Sequence, residues 1–345
     1  MHSRDPAVCG ILPPYILIAI CENGSVEDRG CALSTLVLSE RMRARRQLLS
    51  DLPAAVPAGE KRRTVYDSKH RESLPGKLVR AEGSPPSADA AVNEAYDGAG
   101  ATYDLYEQVY KRSSIDGRGM RLDSSVHYGV GYDNAFWNGS QMVYGDGDGK
   151  LFERFTKPLD VIGHELTHGV TAHEANLEYH DQPGALNESI SDVFGSLVKQ
   201  HALGQTAEQA DWIIGAGLFT PRVRGVGLRS MKAPGTAYDD PVLGKDPQPA
   251  HMKDYVSGPE DDGGVHINSG IPNHAFYLAA AAIGGVAWEK AGRIWYAALT
   301  ERLRPDSDFA DAARLTAATA AELFGAGGKE ETAVRKAWRT VGVHA

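Results

Sequence analysis

The chain has 345 residues, 42% of them hydrophobic and 23% charged, with 36 lysines and arginines against 45 acids and a formal net charge of −9. That composition is globular, the length allows about two domains with real cores, and the acidic balance disfavours a general nucleic-acid-binding role. The longest apolar run, Gly10 to Cys21, is interrupted by Pro13 and Pro14 and falls short of the roughly twenty residues a bilayer crossing needs, so no membrane partner is expected.

Cys9, Cys21 and Cys31 all lie near the start, so the main body cannot rely on disulfides, thiolate ligands or a cysteine nucleophile. Residues 1–63 carry nine basic and seven acidic side chains, leaving 27 basic and 38 acidic beyond them. A small basic leader thus precedes an acidic body. Its start, Met1 to Asp5, is only weakly basic, which with the proline pair makes a poor Sec signal. Helical spacing covers 15–22 and 34–49, separated by Asn23-Gly24. Arg41, Arg43, Arg45 and Arg46 read as a solvated helix face rather than a nucleic-acid patch. Leu52 to Glu60, broken by prolines and Gly59, reads as an exposed linker.

Short extended runs follow at 63–66 and 77–80, then a helix over 88–110, then strands at 124–128 and 141–144. Asp146-Gly147-Asp148-Gly149 lacks the spacing and glutamate of a calcium-binding EF-hand loop and reads as a tight hairpin turn. Beyond Lys157 the pattern is helical: 158–176, 187–203, 270–284, 286–303, 307–324 and 328–340. Strands first and helices later predict an α+β protein in two lobes. The expected division is 1–57 as leader and linker, 58–178 as a β-rich lobe and 179–345 as a helical lobe.

His164-Glu165-Leu166-Thr167-His168 fits H-E-x-x-H. On a helix, positions i and i+4 share a face, so two imidazoles can hold one zinc ion while the intervening glutamate projects beside it as a base. A catalytic zinc needs a third protein ligand and one open position. Twenty residues on, Glu188 and Asp192 are again i, i+4 neighbours; one can coordinate while the other accepts a hydrogen bond from a ligand histidine. His173 and His180 read as rim residues, and His127, His201, His251 and His274 as ordinary histidines without a catalytic role. Ser269 reads as a helix cap rather than a nucleophile.

The stretches Asp160 to Val170 and Gly184 to Asp192, with Asn134-Ala135-Phe136-Trp137-Asn138-Gly139 upstream and Asp261 to Gly270 downstream, resemble the thermolysin family of neutral zinc metallopeptidases. The resemblance runs from about Thr64 to the C-terminus. The leader, with Cys9-Gly10-Ile11-Leu12-Pro13-Pro14-Tyr15, looks like the short prosegment of the protealysin-like branch. The resemblance implies a two-lobed thermolysin-like fold with the zinc-binding helix in the cleft. It implies His164, His168 and Glu188 as zinc ligands, Asp192 as orienter of a ligand ring and Glu165 as general base. His266 and Tyr179 would donate to the oxyanion, with Asp261 holding the His266 ring. Arg229 would hold the substrate carbonyl, Asn134 and the Ala135 backbone would clamp the extended peptide, and Phe152, Phe155, Val161, Ile214, Leu218 and Leu228 would line the specificity pocket.

Two imidazoles and a carboxylate leave such a site with a net charge near +1, enough to acidify a water. Family members also hold paired calcium ions on clustered acids. Here Asp160 and Asp211 match two of those acids, whereas Lys199, Ile213 and Ala216 supply no anionic oxygen, so Ca²⁺ binding is expected to be reduced. The expectation is a monomeric zinc endopeptidase acting on polypeptides and made as a zymogen, with its own prosegment as intramolecular inhibitor. The Pro-Pro-Tyr element is expected in the cleft, and a Cys9 thiolate brake is weighed against a packing role. Secretion is expected from the family, with a cytoplasmic regulatory peptidase as the alternative. A catalytically silent zinc-stabilised binding protein is disfavoured by retention of Glu165.

Overall fold

The computed structural model describes residues 10–46 and 60–344. Cys9, residues 52–59 of the expected linker and the expected boundary at 57/58 lie outside the described residues. The leader forms two helices, α1 (Pro14–Asn23) and α2 (Val26–Arg46). Pro14 occupies the first turn of α1, where its missing N–H costs nothing. The second helix starts eight residues before the expected 34. Ser25 and Asp28 cap its start reciprocally, backbone N–H to side-chain oxygen, at 3.0 and 3.2 Å.

Five strands follow: β1 (Arg63–Asp67), β2 (Lys77–Ala81), β3 (Leu122–Val126), β4 (Ala135–Trp137) and β5 (Met142–Tyr144), with helix α3 (Ala90–Tyr110) between β2 and β3. They form one sheet in the order β2-β1-β3-β5-β4, in which β4 is an edge strand antiparallel to β5. The sequence pattern missed β4, since three residues are too few for alternation to register. The Asp146–Gly149 segment is not a hairpin. Asp148 instead accepts from the backbone N–H groups of Lys150, Leu151 and Phe152 at 2.8–3.0 Å, a side-chain-stabilised turn.

Helices α4 (Leu159–His173) and α5 (Asp181–Leu203) come next, the latter beginning six residues ahead of expectation. Two short two-stranded ribbons follow, β6 (Ile213–Ile214) with β7 (Arg229–Ser230) and β8 (Asp239–Asp240) with β9 (Gly244–Lys245). The chain closes with α6 (Asp261–Asn268), α7 (Gly270–Ile283), α8 (Ala291–Glu301), α9 (Phe309–Phe324) and α10 (Lys329–Thr340). No helix among the described residues is long and apolar enough to cross a membrane.

Two facing glycines fix the α4–α5 approach. A Cβ on Gly163 would sit 3.0 Å from Gly195 Cα, and one on Gly195 would sit 2.4 Å from the Asp160 carbonyl oxygen. A larger residue at either position would push the helices apart. This close contact lets side chains from one helix interdigitate with those of the other. Every residue of α4 from Asp160 to Thr171 is buried.

Candidate metal centre and active-site cleft

His164 and His168 project from α4 and Glu188 from α5, and one ligand atom from each lies within 4.8 Å of the other two. His164 Nδ1 lies 2.8 Å from Asp192 Oδ1. His168 Nδ1 lies 2.9 Å from Asn187 Oδ1, and that amide's nitrogen donates to the Leu177 carbonyl. Each Nδ1 therefore donates a proton to an oxygen, and each Nε2 is left with its lone pair. Those two Nε2 atoms face each other at 3.0 Å, and Glu188 oxygens lie 3.6 and 3.4 Å from them. Two lone pairs and a carboxylate converging in a buried space fit a divalent cation with nitrogen and oxygen ligands, the donor set of catalytic zinc.

The ring-orienting groups are as complete as the ligands. Asp192 accepts from Arg229 Nε and Nη2 at 2.7 Å each and from Asn273 Nδ2 at 2.9 Å. Burial works to raise its pKa, but Arg229 and His164 outweigh it and hold the carboxyl at about 2. Burial brings His168 down to about 4 against the pull of Glu188, so its imidazole is neutral and fit to be a ligand. Burial also acts against ionised Glu188, yet the three surrounding histidines and Arg229 keep it below the ordinary carboxylate range. Sequence reasoning gave no role to Asn187 or Asn273; only the packing of α7 against α5 reveals the latter.

Glu165 is wholly buried beside the ligand cluster, and its Oε2 accepts the Trp137 backbone N–H at 2.9 Å. Burial, then the nearby Glu188, pushes its carboxyl well above the usual range, opposed by the Trp137 and Ile11 amides. Tyr179 donates its hydroxyl proton to Glu188 Oε1 at 2.5 Å and lies 3.3 Å from His266 Nε2. Asp261 Oδ1 lies 2.6 Å from His266 Nδ1, and its Oδ2 accepts the His266 backbone N–H. Burial would lower His266, but Glu188 and Asp261 carry it upward. The backbone from Asp261 to Gly264 has positive φ throughout, and a Cβ on Gly263 would meet Asp181 Oδ1 at 2.2 Å. Glycine is needed there to swing His266 in beside Tyr179. Ser269 does not cap α7 through its side chain; its hydroxyl donates to the His266 carbonyl.

The cleft beside these groups holds the chain's own leader. Gly10 bridges Phe136 on edge strand β4 in antiparallel fashion, and the Ile11 N–H donates to the Ala135 carbonyl at 3.1 Å. Asn134 receives the Leu12 N–H through Oδ1 at 2.9 Å and donates through Nδ2 to the Leu12 carbonyl at 3.2 Å. Arg229 Nη1 donates to the Ile11 carbonyl at 3.2 Å. The strand-like pairing is thus made by Gly10-Ile11-Leu12; Pro13 stays extended as the residue before α1, Pro14 begins that helix, and Tyr15 is partly buried against the core. Further along, Leu38 and Met42 of α2 pack on Tyr128, Tyr132, Phe136 and Val143. The ion pairs across this face run in both senses, Glu27 with Lys150 and Arg41 with Glu72. Among the described residues, this apolar packing stands beside ion pairs that favour neither sign of charge on the leader.

Phe152, Phe155, Val161, Ile214, Leu218 and Leu228 are all buried in one core cluster, with Leu228 donating its N–H to the Ile214 carbonyl. None carries an acid. Asp160 and Asp211 converge on the Lys199 ammonium, at 2.6 and 2.9 Å. His173, His180, His201, His251 and His274 are not among the ligand cluster.

The family model for the thermolysin metallopeptidase catalytic domain matches residues 57–172, and that for the thermolysin metallopeptidase alpha-helical domain matches residues 175–343. An extracellular metalloprotease of Pectobacterium carotovorum subsp. carotovorum is 54% identical over 344 residues, covering 99% of this chain and 98% of that sequence. A thermolysin of Alicyclobacillus acidocaldarius is 43% identical over 290 residues, 81% of this chain and 50% of that one. The solved precursor of protealysin, a metalloproteinase from Serratia proteamaculans, superposes with a TM-score of 0.90 at 55% identity, covering 97% of this chain and 100% of that chain. With both halves of its body matched and the two histidines and glutamate gathered as described, the chain belongs to the thermolysin family of metallopeptidases, in its protealysin-like branch, and is a metalloendopeptidase.

Proposed function

We propose that the chain is a zinc endopeptidase made as a self-inhibited zymogen, cutting on the amino side of bulky apolar residues. The observation that carries the proposal is the convergence of two imidazole lone pairs and the Glu188 carboxylate beside a buried Glu165. His164, His168 and Glu188 hold the zinc, which when bound acidifies a water and polarises the scissile carbonyl. Glu165, buried beside the ligands with its Oε2 on the Trp137 N–H, takes the water's proton and passes it to the leaving amine. Tyr179 and His266, side by side with the His266 ring held by Asp261, donate to the developing oxyanion once the Tyr179 hydroxyl turns from Glu188, a contribution typically worth about 10²-fold or more for each donor. Asp192 fixes the His164 ring, and Arg229 holds a substrate carbonyl.

Substrate is expected to add to edge strand β4 through Asn134 and the Ala135 carbonyl, the groups that now hold Ile11 and Leu12. The six apolar residues from Phe152 to Leu228 form the pocket for the side chain after the scissile bond. The leader therefore blocks the cleft by occupying the substrate's own hydrogen bonds. Release follows self-cleavage in residues 50–64, which divides a prosegment ending near residue 57 from lobes meeting near residue 178. The enzyme acts as a secreted monomer on polypeptides, in keeping with the extracellular name of its relative; neither membrane nor nucleic acid has a part in the reading.

The test is casein digestion with and without 1,10-phenanthroline, followed by restoration with low Zn²⁺. Loss and recovery are expected. Activity that ignores the chelator but yields to a serine or cysteine reagent overturns the mechanism, and zinc binding without any proteolysis indicates a silent binding protein.

A further inference from the structure

A second cluster of ligand atoms, sharing no residue with the catalytic group, lies just past the C-terminal ends of the parallel strands β1, β3 and β5. His70, His127 and Asp146 each present one ligand atom within 4.8 Å of the other two. They come from three separate segments: the turn after β1, the end of β3 and the loop after β5. His127 Nδ1 lies 2.8 and 2.9 Å from the two Asp146 oxygens, and His70 Nδ1 lies 3.4 Å from Asp146 Oδ2. The 3.4 Å spacing matches neighbouring ligands around a tetrahedral ion with bonds of about 2.0–2.2 Å, whereas the contacts at 2.8 and 2.9 Å are hydrogen bonds that an ion would replace and widen.

The far nitrogen of His127 is also provided for. Its Nε2 lies 2.7 Å from Asp89 Oδ2, the carboxylate–histidine arrangement that fixes tautomer and ring orientation in metal sites. Asp89 is itself held, since its other oxygen caps α3 by accepting the Ala91 N–H at 2.9 Å. The backbone contributes further. His70 and His127 both adopt positive φ, 56° and 55°, rare for a side chain with a Cβ, and the His70 N–H donates to the His127 carbonyl at 2.8 Å. Strained conformations of this kind persist where the surroundings dictate the side chain's placement.

We infer that His70, His127 and Asp146 form a second, structural binding site for a zinc-class transition ion, with Asp89 as the group that orients His127. The ion would tie the turn after β1 to the loop after β5. Two imidazoles and one carboxylate favour zinc or its transition-metal neighbours over calcium, which prefers six to eight oxygens. The side chain of His70 is 59% exposed, so a fourth position is open to water. Without the ion, Asp146 and Asp89 share a protonated His127, whose pKa is pushed up to about 9, first by Asp146. Zinc must displace the proton at Nδ1, so binding should tighten as pH rises.

The full-length Glu165→Gln protein, loaded with one zinc, is titrated with ZnCl₂ and followed by calorimetry and native mass spectrometry. A second equivalent is expected. His70→Gln, which touches only an exposed ring, should abolish it or weaken it at least 100-fold. Asp89→Asn, which retains a capping oxygen, should weaken it about 10- to 100-fold. In the wild-type background His70→Gln should leave casein hydrolysis unchanged while removing the rise in melting temperature caused by the second equivalent. A stoichiometry that stops at one overturns the inference. So does a second equivalent that survives both His70→Gln and Asp146→Asn, or one that millimolar Ca²⁺ displaces.

Discussion

Lys199 offers the sharpest test of how this chain manages the acids that the family resemblance would assign to calcium. Its ammonium lies 2.6 Å from Asp160 Oδ2, 2.9 Å from Asp211 Oδ1 and 2.7 Å from the Ile213 carbonyl. The Asp160 side chain is 1% exposed and that of Lys199 is 12% exposed, whereas Asp211 is 49% exposed. Lys199→Met removes the charge and keeps most of the volume. Asp160 is then left buried with the Gly215 N–H at 3.1 Å for its other oxygen. Breaking a buried pair by removing one partner costs about 3–5 kcal/mol, and the exposed Asp211 contact adds little. At roughly 2–4 °C per kcal/mol for domains somewhat smaller than this chain, the melting temperature should fall by about 6–20 °C. The assay is thermal unfolding of full-length Glu165→Gln protein at fixed excess zinc, in buffer freed of calcium and in millimolar calcium. Wild-type protein should respond little to calcium. Lys199→Ala, which clears the space between two carboxylates and a carbonyl, should recover part of its loss in calcium. Burial opposes the charged form of Lys199, but Asp160 and Asp211 outweigh it and raise its pKa above the unfolded value. Its stabilisation is therefore fully present below the unfolded lysine pKa of about 10.4 and lost as pH rises through the higher folded value. A Lys199→Met loss under about 1 kcal/mol, or a wild-type gain above about 5 °C in calcium, would refute the reasoning.

Glu165→Gln should retain zinc, since this side chain is not among the converging ligands, yet lose about 10²- to 10⁴-fold in casein hydrolysis; near wild-type turnover would mean the base is wrongly assigned. Wild-type protein should shed its leader with a new N-terminus between residues 50 and 64 while purified Glu165→Ala stays full length, and equal trimming of the two would point to another protease. In a peptide library read by mass spectrometry, Leu after the scissile bond should exceed Ala by roughly 10- to 100-fold in kcat/KM, and a preference for charged residues there contradicts an all-apolar pocket. Gly163→Ala drives a Cβ to within 3.0 Å of Gly195 Cα, which should cost about 1–3 kcal/mol and weaken zinc retention by splaying α4 from α5; an unchanged melting temperature and zinc affinity would show that this contact relaxes freely.

What the sequence made legible follows from how locally each feature is encoded. Helical periodicity puts His164 with His168, and Glu188 with Asp192, on common faces, but choosing Glu188 over Asp192 as the third ligand took the family resemblance. Helices α3, α4, α7, α9 and α10 were placed within a few residues by the same periodicity, whereas α2, α5 and α8 were misplaced at their starts by five to eight residues. Features that depend on distant partners were not readable. Strand β4 has three residues and no pattern of its own; it exists because β5 pairs with it and the leader covers its other edge. The early start of α2 turns on a reciprocal cap between Ser25 and Asp28, a short-range signal that a search for apolar spacing passes over. The leader's substrate-like hydrogen bonding stops at Leu12 rather than running through Pro13 and Pro14, because proline cannot supply the N–H groups that Ile11 and Leu12 donate. Proline therefore marks where the substrate-like stretch must stop, and the helix that begins there carries the chain off β4. His127 shows the same limit from the other side: its partners are 38 residues before it and 19 after, so no local motif distinguishes it from a surface histidine. In this fold, chemistry confined to one helix face can be read from spacing, whereas chemistry assembled across sheet edges and turns emerges only with the tertiary structure.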